Sequence, residues 1–465
     1  MSEPAKSVRT EGADSELSNL MRLGLPLMGA QLAQMSMGVL DTVMAGRLSA
    51  VDLAGIALGG NAMWPVMLMM MGFLQAVTPT VSQLNGANRQ KEVGEVVRQA
   101  LWLALIAVVI IIAWIRNAEP FYHLMNVDPA AVRVSVPYLQ ATSWGVPAIM
   151  GYFVFRYLAE GMGYTRPTLL IACAALVLKV PLNFVFMYGL LGAPALGGVG
   201  CGVSTAIVMW GELIAILIVV SQPRLRNTGL MDKFSWPDWQ RIKPLVIVGA
   251  PIGATLFFEV GLFSLTTILL GRFGAEAVAS HTIAMNIGGI IFMLPLALGM
   301  AATIRIGFNI GAEAPHLARR TAAVAMQASV AIALVAAVLV ILFRHQAAAI
   351  YTTDAKVLQL AASLMLFVAA YQLFDDTQAT ALGALRGYKD TRIPMLVTMF
   401  GYWGVGLPIG CVLGFGWIME PLGVYGFWIG LVTGLAIVSA LLNYRLWLVS
   451  RNDRLIQRLS GFDGE

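Results

Sequence analysis

Six ionisable side chains stand inside long apolar runs of this sequence: Asp41, Lys179, Glu212, Glu259, Asp375 and Asp376. A carboxylate at the centre of a bilayer costs on the order of 3 kcal/mol even on a forgiving insertion scale, so each implies a partner or a use. Glu259 lies near the middle of APIGATLFFEVGLFSLTTILLGR, Ala250 to Arg272, and Tyr371 precedes Asp375 by one helical turn. Carboxyl and phenol oxygens can ligate a small hard cation or share a proton. Glu259, Tyr371 and Asp375 are therefore read as one cation-coupling site, for Na⁺ or H⁺. Asp376 is about 100° further round the helix than Asp375, so only one of the two can face that site, and Asp376 is a further candidate for a second acidic centre and for contact with a substrate. Asp41 makes a second acidic centre with Asn183 as neighbour. Lys179, one turn before Asn183, is either a structural counter-ion of Asp41 or a working group of that centre. Glu212, late in its run, can pair or reach toward the membrane surface.

The elements that hold these residues are membrane spans. The 465 residues are 58% hydrophobic and 12% charged, against about 25% charged in a soluble domain. Apolar spans recur twelve times, near 20–44, 52–80, 93–115, 134–158, 165–189, 196–220, 244–270, 276–306, 317–342, 357–383, 391–416 and 421–449. With both termini taken as cytoplasmic, 23 Lys and Arg fall on the inner segments and 6 on the outer ones. That asymmetry fixes the orientation and accounts for the net charge of +5 without a nucleic-acid partner. The acidic first 19 residues lack the pattern of a cleaved signal.

The spans form a duplication. At an offset of 225, Leu25 to Arg47 overlies Ala250 to Arg272, with Pro26 on Pro251, Leu40 on Leu265, Thr42 on Thr267 and Arg47 on Arg272. Glu259 falls on Gln34, and Asn286 on Asn61, which makes Gln34 and Asn286 further candidates for the second centre and for contact with a substrate. At 226, Gly161, Thr165 and Arg166 match Gly387, Thr391 and Arg392, and Gly197 matches Gly423. Six helices per repeat leave both repeats in one orientation, so two lobes should be related by a pseudo-twofold axis along the membrane normal, with the substrate path between them. The expected division is a tail at 1–19, an N-lobe at 20–221, a cytoplasmic linker at 222–243, a C-lobe at 244–450 and a tail at 451–465. Pro26 and Pro251 occupy equivalent places in the first helix of each lobe, where bending is expected to accompany switching.

Several classes are excluded or disfavoured. No G-x-x-x-x-G-K-[ST] motif and no soluble domain offers a nucleotide site, so energy must come from an ion gradient. The GGVGCG run from Gly197 has no following Lys and opens an apolar span, which marks a tight turn with close helix packing. His123, His281, His316 and His345 have no metal-site spacing and there is no nucleophile elbow, which speaks against a membrane-embedded enzyme. No resident cofactor is expected. Cys173, Cys201 and Cys411 lie in apolar runs as small buried hydrophobes. A flippase for lipid-linked precursors should carry a basic cavity, whereas the residues at depth are mostly acids.

With Asp41, Glu259 and YQLFDDTQATALGALRGYKDTRIPM from Tyr371 to Met395 in view, the chain resembles multidrug and toxic compound extrusion (MATE) transporters of the NorM branch. LGLPLMGAQLAQMSMGVLDTVMAGR, GGNAMWPVMLMMMGFLQAVTPTVSQLNGA, and Asp375 and Gln378 followed by LRGYKDT carry the resemblance over nearly the whole chain. It implies an all-α integral membrane protein whose two six-helix lobes form a V around a central cavity. It also implies export of organic cations, such as dyes and fluoroquinolone-like drugs, against entry of Na⁺ or H⁺ across a bacterial inner membrane by a monomer in lipid. By motif position the carboxyl-lobe site carries over to Glu259, Tyr371 and Asp375, and the amino-lobe site to Asp41 with Asn183. Lys179 departs from the neutral polar residue often found there, and an ammonium at that place would repel a metal cation.

Overall fold

A computed structural model describes residues 13–125, 127–418 and 420–460. It is helical, with no strand among the described residues. The first half runs α1 (Ala13–Leu48), α2 (Ala50–Leu74), α3 (Val77–Gly86), α4 (Gln90–Arg116), α5 (Ala118–Leu124), α6 (Pro129–Ser143), α7 (Val146–Gly161), α8 (Arg166–Tyr188), α9 (Gly198–Val220) and α10 (Pro223–Arg226). The second half has α11 (Trp239–Leu270), α12 (Ala275–Gly311), α13 (Pro315–Tyr351) and α14 (Ala355–Gly387). It ends with α15 (Arg392–Met399), a π-helical turn at Phe400–Gly406, α16 (Leu407–Phe415), α17 (Val424–Ser450) and α18 (Asp453–Ser460).

Eleven of these stretches are long and apolar enough to cross a membrane unaided. The expected fourth span at 134–158 is present as two shorter helices, α6 and α7, of 15 and 16 residues. They meet at Trp144–Gly145, and Pro147 explains the break, because it enters the first turn of α7 where its missing N–H costs no bond. The large apolar side chains that remain exposed suit a hydrocarbon surround: Val109, Val177 and Leu342 are 62%, 72% and 65% exposed.

The duplication is written into the backbone. Gly197 and Gly423, which precede α9 and α17, have φ/ψ of 57°/−135° and 57°/−130°. Asn88 and Glu313, 225 apart, turn at φ 57° and 55°, and Gly163 and Lys389, 226 apart, at 72° and 61°. The GGVGCG run is the tight turn expected, since a Cβ on Gly200 would stand 2.2 Å from the Phe186 carbonyl oxygen.

The chain packs as two units: a first of Gly29–Phe257, and a second of Met1–Met28 with Phe258–Glu465. Both limits fall inside helices, α1 and α11, near the duplicated Pro26 and Pro251. By packing, residues 20–28 belong with the second half and 244–257 with the first, the reverse of equal lobes cut at the repeat. The reasons are local. Glu16 accepts Arg305 Nη2 at 2.6 Å and Thr321 Oγ1 at 2.7 Å, and Leu20 and Leu27 are fully buried in the second unit's core. Gly249 of α11 has no Cβ, and one would meet the Phe73 carbonyl oxygen at 2.1 Å.

The expected linker at 222–243 is fastened along the start of α4. Arg98 donates to Ser235 Oγ and the Gly229 carbonyl at 2.9 and 2.7 Å, Trp102 Nε1 donates to the Ser235 carbonyl at 3.0 Å, and Trp102 stacks on Trp236.

Candidate cation-coupling site

Two groups of polar side chains are assembled, one in each unit. In the second unit, α11 supplies Glu259, α14 supplies Tyr371 and Asp375, and all three line one cavity of about 200 Å³. Its walls are otherwise apolar, including Phe263, Phe292 and Trp428. Gly288 and Gly289 of α12 leave the room, because a Cβ on Gly289 would have no neighbour within 4 Å. Phe263 and Trp428 set their rings edge to face against Tyr371 at 6.3 and 6.4 Å, fixing the phenol one turn from Asp375.

The volume decides what can occupy this space. Drug-sized ligands need about 300–1,000 Å³, whereas one water takes about 30 Å³. The cavity therefore suits a cation with a few waters. Two carboxyl groups facing one small apolar-walled space favour an entering cation or proton that relieves their repulsion. Among the described residues no three His, Cys, Asp or Glu side chains gather as a metal cluster, so a metal ion held here would rely on two carboxylates, the phenol and water.

Of the two aspartates, Asp376 is the one that turns away from the cavity. It is fully buried, accepts Gln372 Nε2 at 2.7 Å through Oδ1, and leaves Oδ2 and Gln372 Oε1 without a protein partner. Gln378 of the D-x-x-Q pattern also points elsewhere: Tyr402 in the π-helical turn donates to its Oε1 at 2.9 Å. The neighbouring Trp403 Nε1 donates to the carbonyl of Phe258, the residue before Glu259, at 3.0 Å. The motif thus splits between the cavity and the helix that backs Glu259.

In the first unit Asp41 is engaged on both oxygens. Asn183 Nδ2 donates to Oδ1 at 2.8 Å, and Lys179 Nζ stands 3.2 Å from Oδ2. Lys179 also donates to Thr205 Oγ1, Ser204 donates to Asn183 Oδ1, and both hydroxyls are hydrogen-bonded to the Cys201 carbonyl, at 2.8 Å from Thr205 and 2.9 Å from Ser204. Asp41, Lys179 and Asn183 come together as the sequence suggests. Ser204 and Thr205, just after the glycine turn, are additional members.

Gln34 is half-buried and Asn286 exposed, and neither joins either group. Sequence reasoning also missed a pair. Arg156 of α7 is 2% exposed and donates from Nε to Glu160 Oε1 at 2.7 Å and from Nη2 to Gln31 Oε1 at 3.2 Å. The i,i+4 spacing of an Arg and a Glu at the end of an apolar span was the available signal.

The MatE family model matches residues 26–185 and 251–412, one match in each repeat. The chain belongs to the MatE family. Full-length relatives agree. The multidrug resistance protein PmpM of Pseudomonas aeruginosa is 43% identical over 97% of this chain and 95% of its own length. The probable multidrug resistance protein NorM of Shewanella oneidensis is 40% identical over 94% and 96%, and the multidrug resistance protein MdtK of Yersinia pestis 42% over 93% and 96%. The fold matches the crystal structure of the eukaryotic MATE transporter AtDTX14, with a TM-score of 0.87 at 17% identity over 97% of this chain and 99% of that one. It also matches the bent form of the Vibrio cholerae MATE transporter VcmN, with a TM-score of 0.81 at 17% identity over 97% and 99%. The two MatE matches enclose Asp41, Lys179 and Asn183 in the first group and Glu259, Tyr371 and Asp375 in the second, while Ser204, Thr205 and Glu212 of α9 lie outside them.

Proposed function

We propose that this MatE protein exports small organic cations from the cytoplasm by exchanging them for an inward-moving cation, Na⁺ or H⁺, taken up at Glu259, Tyr371 and Asp375. The observation that carries the reading is the single cavity joining these three side chains from two helices 112 positions apart between Glu259 and Tyr371. The names of PmpM, NorM and MdtK support drugs as substrates. The protein acts as a monomer in a bacterial inner membrane with both termini cytoplasmic, an orientation supported by the distribution of Lys and Arg.

The exchange is a competition between states. Cation uptake at the two carboxyls offsets their buried charge and favours the form that releases drug outward. Loss of the ion to the cytoplasm favours the form that takes drug from inside. Coupling requires ion and drug to prefer different states, because equal preference shifts nothing. Pro26 and Pro251 are proposed as the bending points, since each helix passes from one packing unit to the other close beyond its proline. A 100 mV potential supplies about 2.3 kcal/mol per charge moved. One-for-one exchange of monovalent cations cancels that term and leaves the ion's concentration gradient.

The test is ethidium efflux from a host lacking its own pumps, with the wild type beside Glu259→Gln and Asp375→Asn. Both variants should accumulate dye at wild-type protein levels, and efflux equal to the parent from either would overturn the proposal. Dye-stimulated ²²Na⁺ uptake into proteoliposomes selects sodium, and exchange driven by a pH gradient in sodium-free buffer selects the proton.

A further inference from the structure

In the first unit Glu212 of α9 is 4% exposed and its Oε1 has no hydrogen-bond partner. On α7, packed against α9, Tyr152 is fully buried and its hydroxyl is also without a protein partner. The two helices are tightly apposed here, since a Cβ on Gly151 would stand 3.3 Å from Leu213. The buried cations of the neighbouring helices α7 and α8, Arg156 and Lys179, are both spoken for: Arg156 by Glu160 and Gln31, Lys179 by Asp41 and Thr205. The remaining helices packed on α9 bring their charges only near their ends, with Asp52 in the first turn of α2, Arg133 early in α6, and Arg224 and Arg226 in α10.

We infer that Glu212, with Tyr152 and Arg156 beside it, is a proton-binding site of the amino half, separate from the Glu259 cavity. An ionised carboxylate in this arrangement would leave one oxygen buried with no donor, so the group holds a proton while Arg156 stays on Glu160. Release requires a donor for the bared oxygen, and two stand within the cluster: the Tyr152 hydroxyl, and Arg156 if it turns from Glu160. Position gives the site its direction. Along α9, Thr205 touches the Asp41–Lys179 pair, and Glu212 lies about 10 Å further toward the cytoplasmic end. The geometry stands by itself, and only the transport arm of the test rests on the exporter reading.

The experiment uses the full-length protein in proteoliposomes. Infrared difference spectra over a pH titration should show the C=O stretch of a buried protonated carboxyl that disappears as pH rises. It should be absent in Glu212→Gln and present, shifted, in Glu212→Asp. In parallel, ethidium exchange driven by a pH gradient should lose its dependence on internal pH in Glu212→Gln, with a fall of about tenfold at the wild-type optimum, and keep it in Glu212→Asp. A purely structural role predicts the opposite, because Gln preserves the shape of a neutral Glu better than Asp does. Retention of the band and the pH profile in Glu212→Gln overturns the inference. Should that variant fail to insert, Tyr152→Phe decides, since removing a donor that the ionised group needs should move the disappearance of the band to higher pH, and an unchanged titration overturns the inference. If Glu259→Gln pumps normally while the Glu212 band behaves as described, the exporter proposal fails and this one stands.

Discussion

Lys179 Nζ stands 3.2 Å from Asp41 Oδ2, with the ammonium 2% exposed and the carboxylate 16%. The first unit therefore already holds a cation, covalently attached, opposite its principal acid. The second unit holds two carboxyls and a phenol around open volume. The duplicated backbone therefore carries different charge in each half: an ion pair at Asp41 in the first, and two carboxyls on one cavity in the second.

Removing that ammonium should expose the arrangement. Lys179→Gln leaves Asp41 partly buried with only Asn183 to donate to it. Breaking a buried pair costs about 3–5 kcal/mol, and the lower end applies here because Asp41 keeps one donor and some solvent. The apparent Tm of the detergent-solubilised protein should drop by several degrees and recover in part when Na⁺ is added or the pH is lowered, since either compensates the carboxylate. An unchanged Tm would show that the pair contributes nothing.

Asp375 and Asp376 should separate in function although they are neighbours in sequence. Asp375→Asn removes a carboxylate from the cavity, and the ion concentration needed for half-maximal exchange should rise by roughly tenfold or more, about 1.4 kcal/mol of ion affinity. Asp376→Asn replaces a group bonded to Gln372 outside the cavity and should leave that concentration nearly unchanged. Titrating ion-driven dye exchange in both variants checks the pair, and equal shifts would contradict the cavity assignment.

The parts legible in the sequence are those that hydrocarbon imposes. Long apolar runs gave the spans, and carboxylates too costly for them marked Glu259, Asp375 and Asp41. The shared offset of Pro26 and Pro251, and of Gly197 and Gly423, foretold a backbone repeated to within a few degrees at Asn88 and Glu313. What stayed hidden depends on the third dimension. Which of Asp375 and Asp376 meets Glu259 is set by the rotation of α14 against its neighbours, and the 100° step says only that they differ. Arg156 looks like a surface charge until α7 is packed and Glu160 and Gln31 close around it. The break at Trp144–Gly145 was carried by Pro147, but thirteen prolines lie within the apolar spans and sequence does not say which one stops a helix.

The paired turns before α9 and α17 make a stability prediction. Gly197 and Gly423 sit at φ 57° with ψ near −130°, a region closed to residues with a Cβ. Alanine at either position should cost about 1–3 kcal/mol. Gly197→Ala should be the worse, because its Cβ would come 2.9 Å from Asp52 Oδ1, whereas a Cβ on Gly423 meets nothing nearer than Phe273 at 3.8 Å. Thermal unfolding of the two variants gives the order, and the reverse order would refute the steric account.

Lys389, in the turn between α14 and α15, offers a pH test. Burial pushes its ammonium down from an ordinary value near 10.5 to about 8, and its one hydrogen bond is a long one of 3.3 Å to the Ser460 carbonyl. The unfolded chain therefore binds the proton more tightly, and the folding penalty is full below about pH 8 and fades toward pH 10.5. Lys389→Gln should raise the apparent Tm at pH 7, with the gain over wild type vanishing near pH 10.5. A gain independent of pH would mean that the lysine's charge is not what costs stability.

Tyr402 tests whether the π-helical turn supports the cation site from behind. Its hydroxyl and the Gln378 amide are both buried and bond to each other, so Tyr402→Phe strands the amide, at a cost of about 1–3 kcal/mol. Removing both partners in Gln378→Leu with Tyr402→Phe strands nothing and should recover most of that stability. The functional consequence follows from the next residue: Trp403 holds the Phe258 carbonyl at 3.0 Å, and Phe258 precedes Glu259. A loosened turn should therefore raise the ion concentration for half-maximal exchange while Glu259 itself is intact, and the double variant should bring stability and ion dependence back together. If Tyr402→Phe loses stability but keeps wild-type ion dependence, the turn is packing alone and Glu259 is positioned by α11 without it.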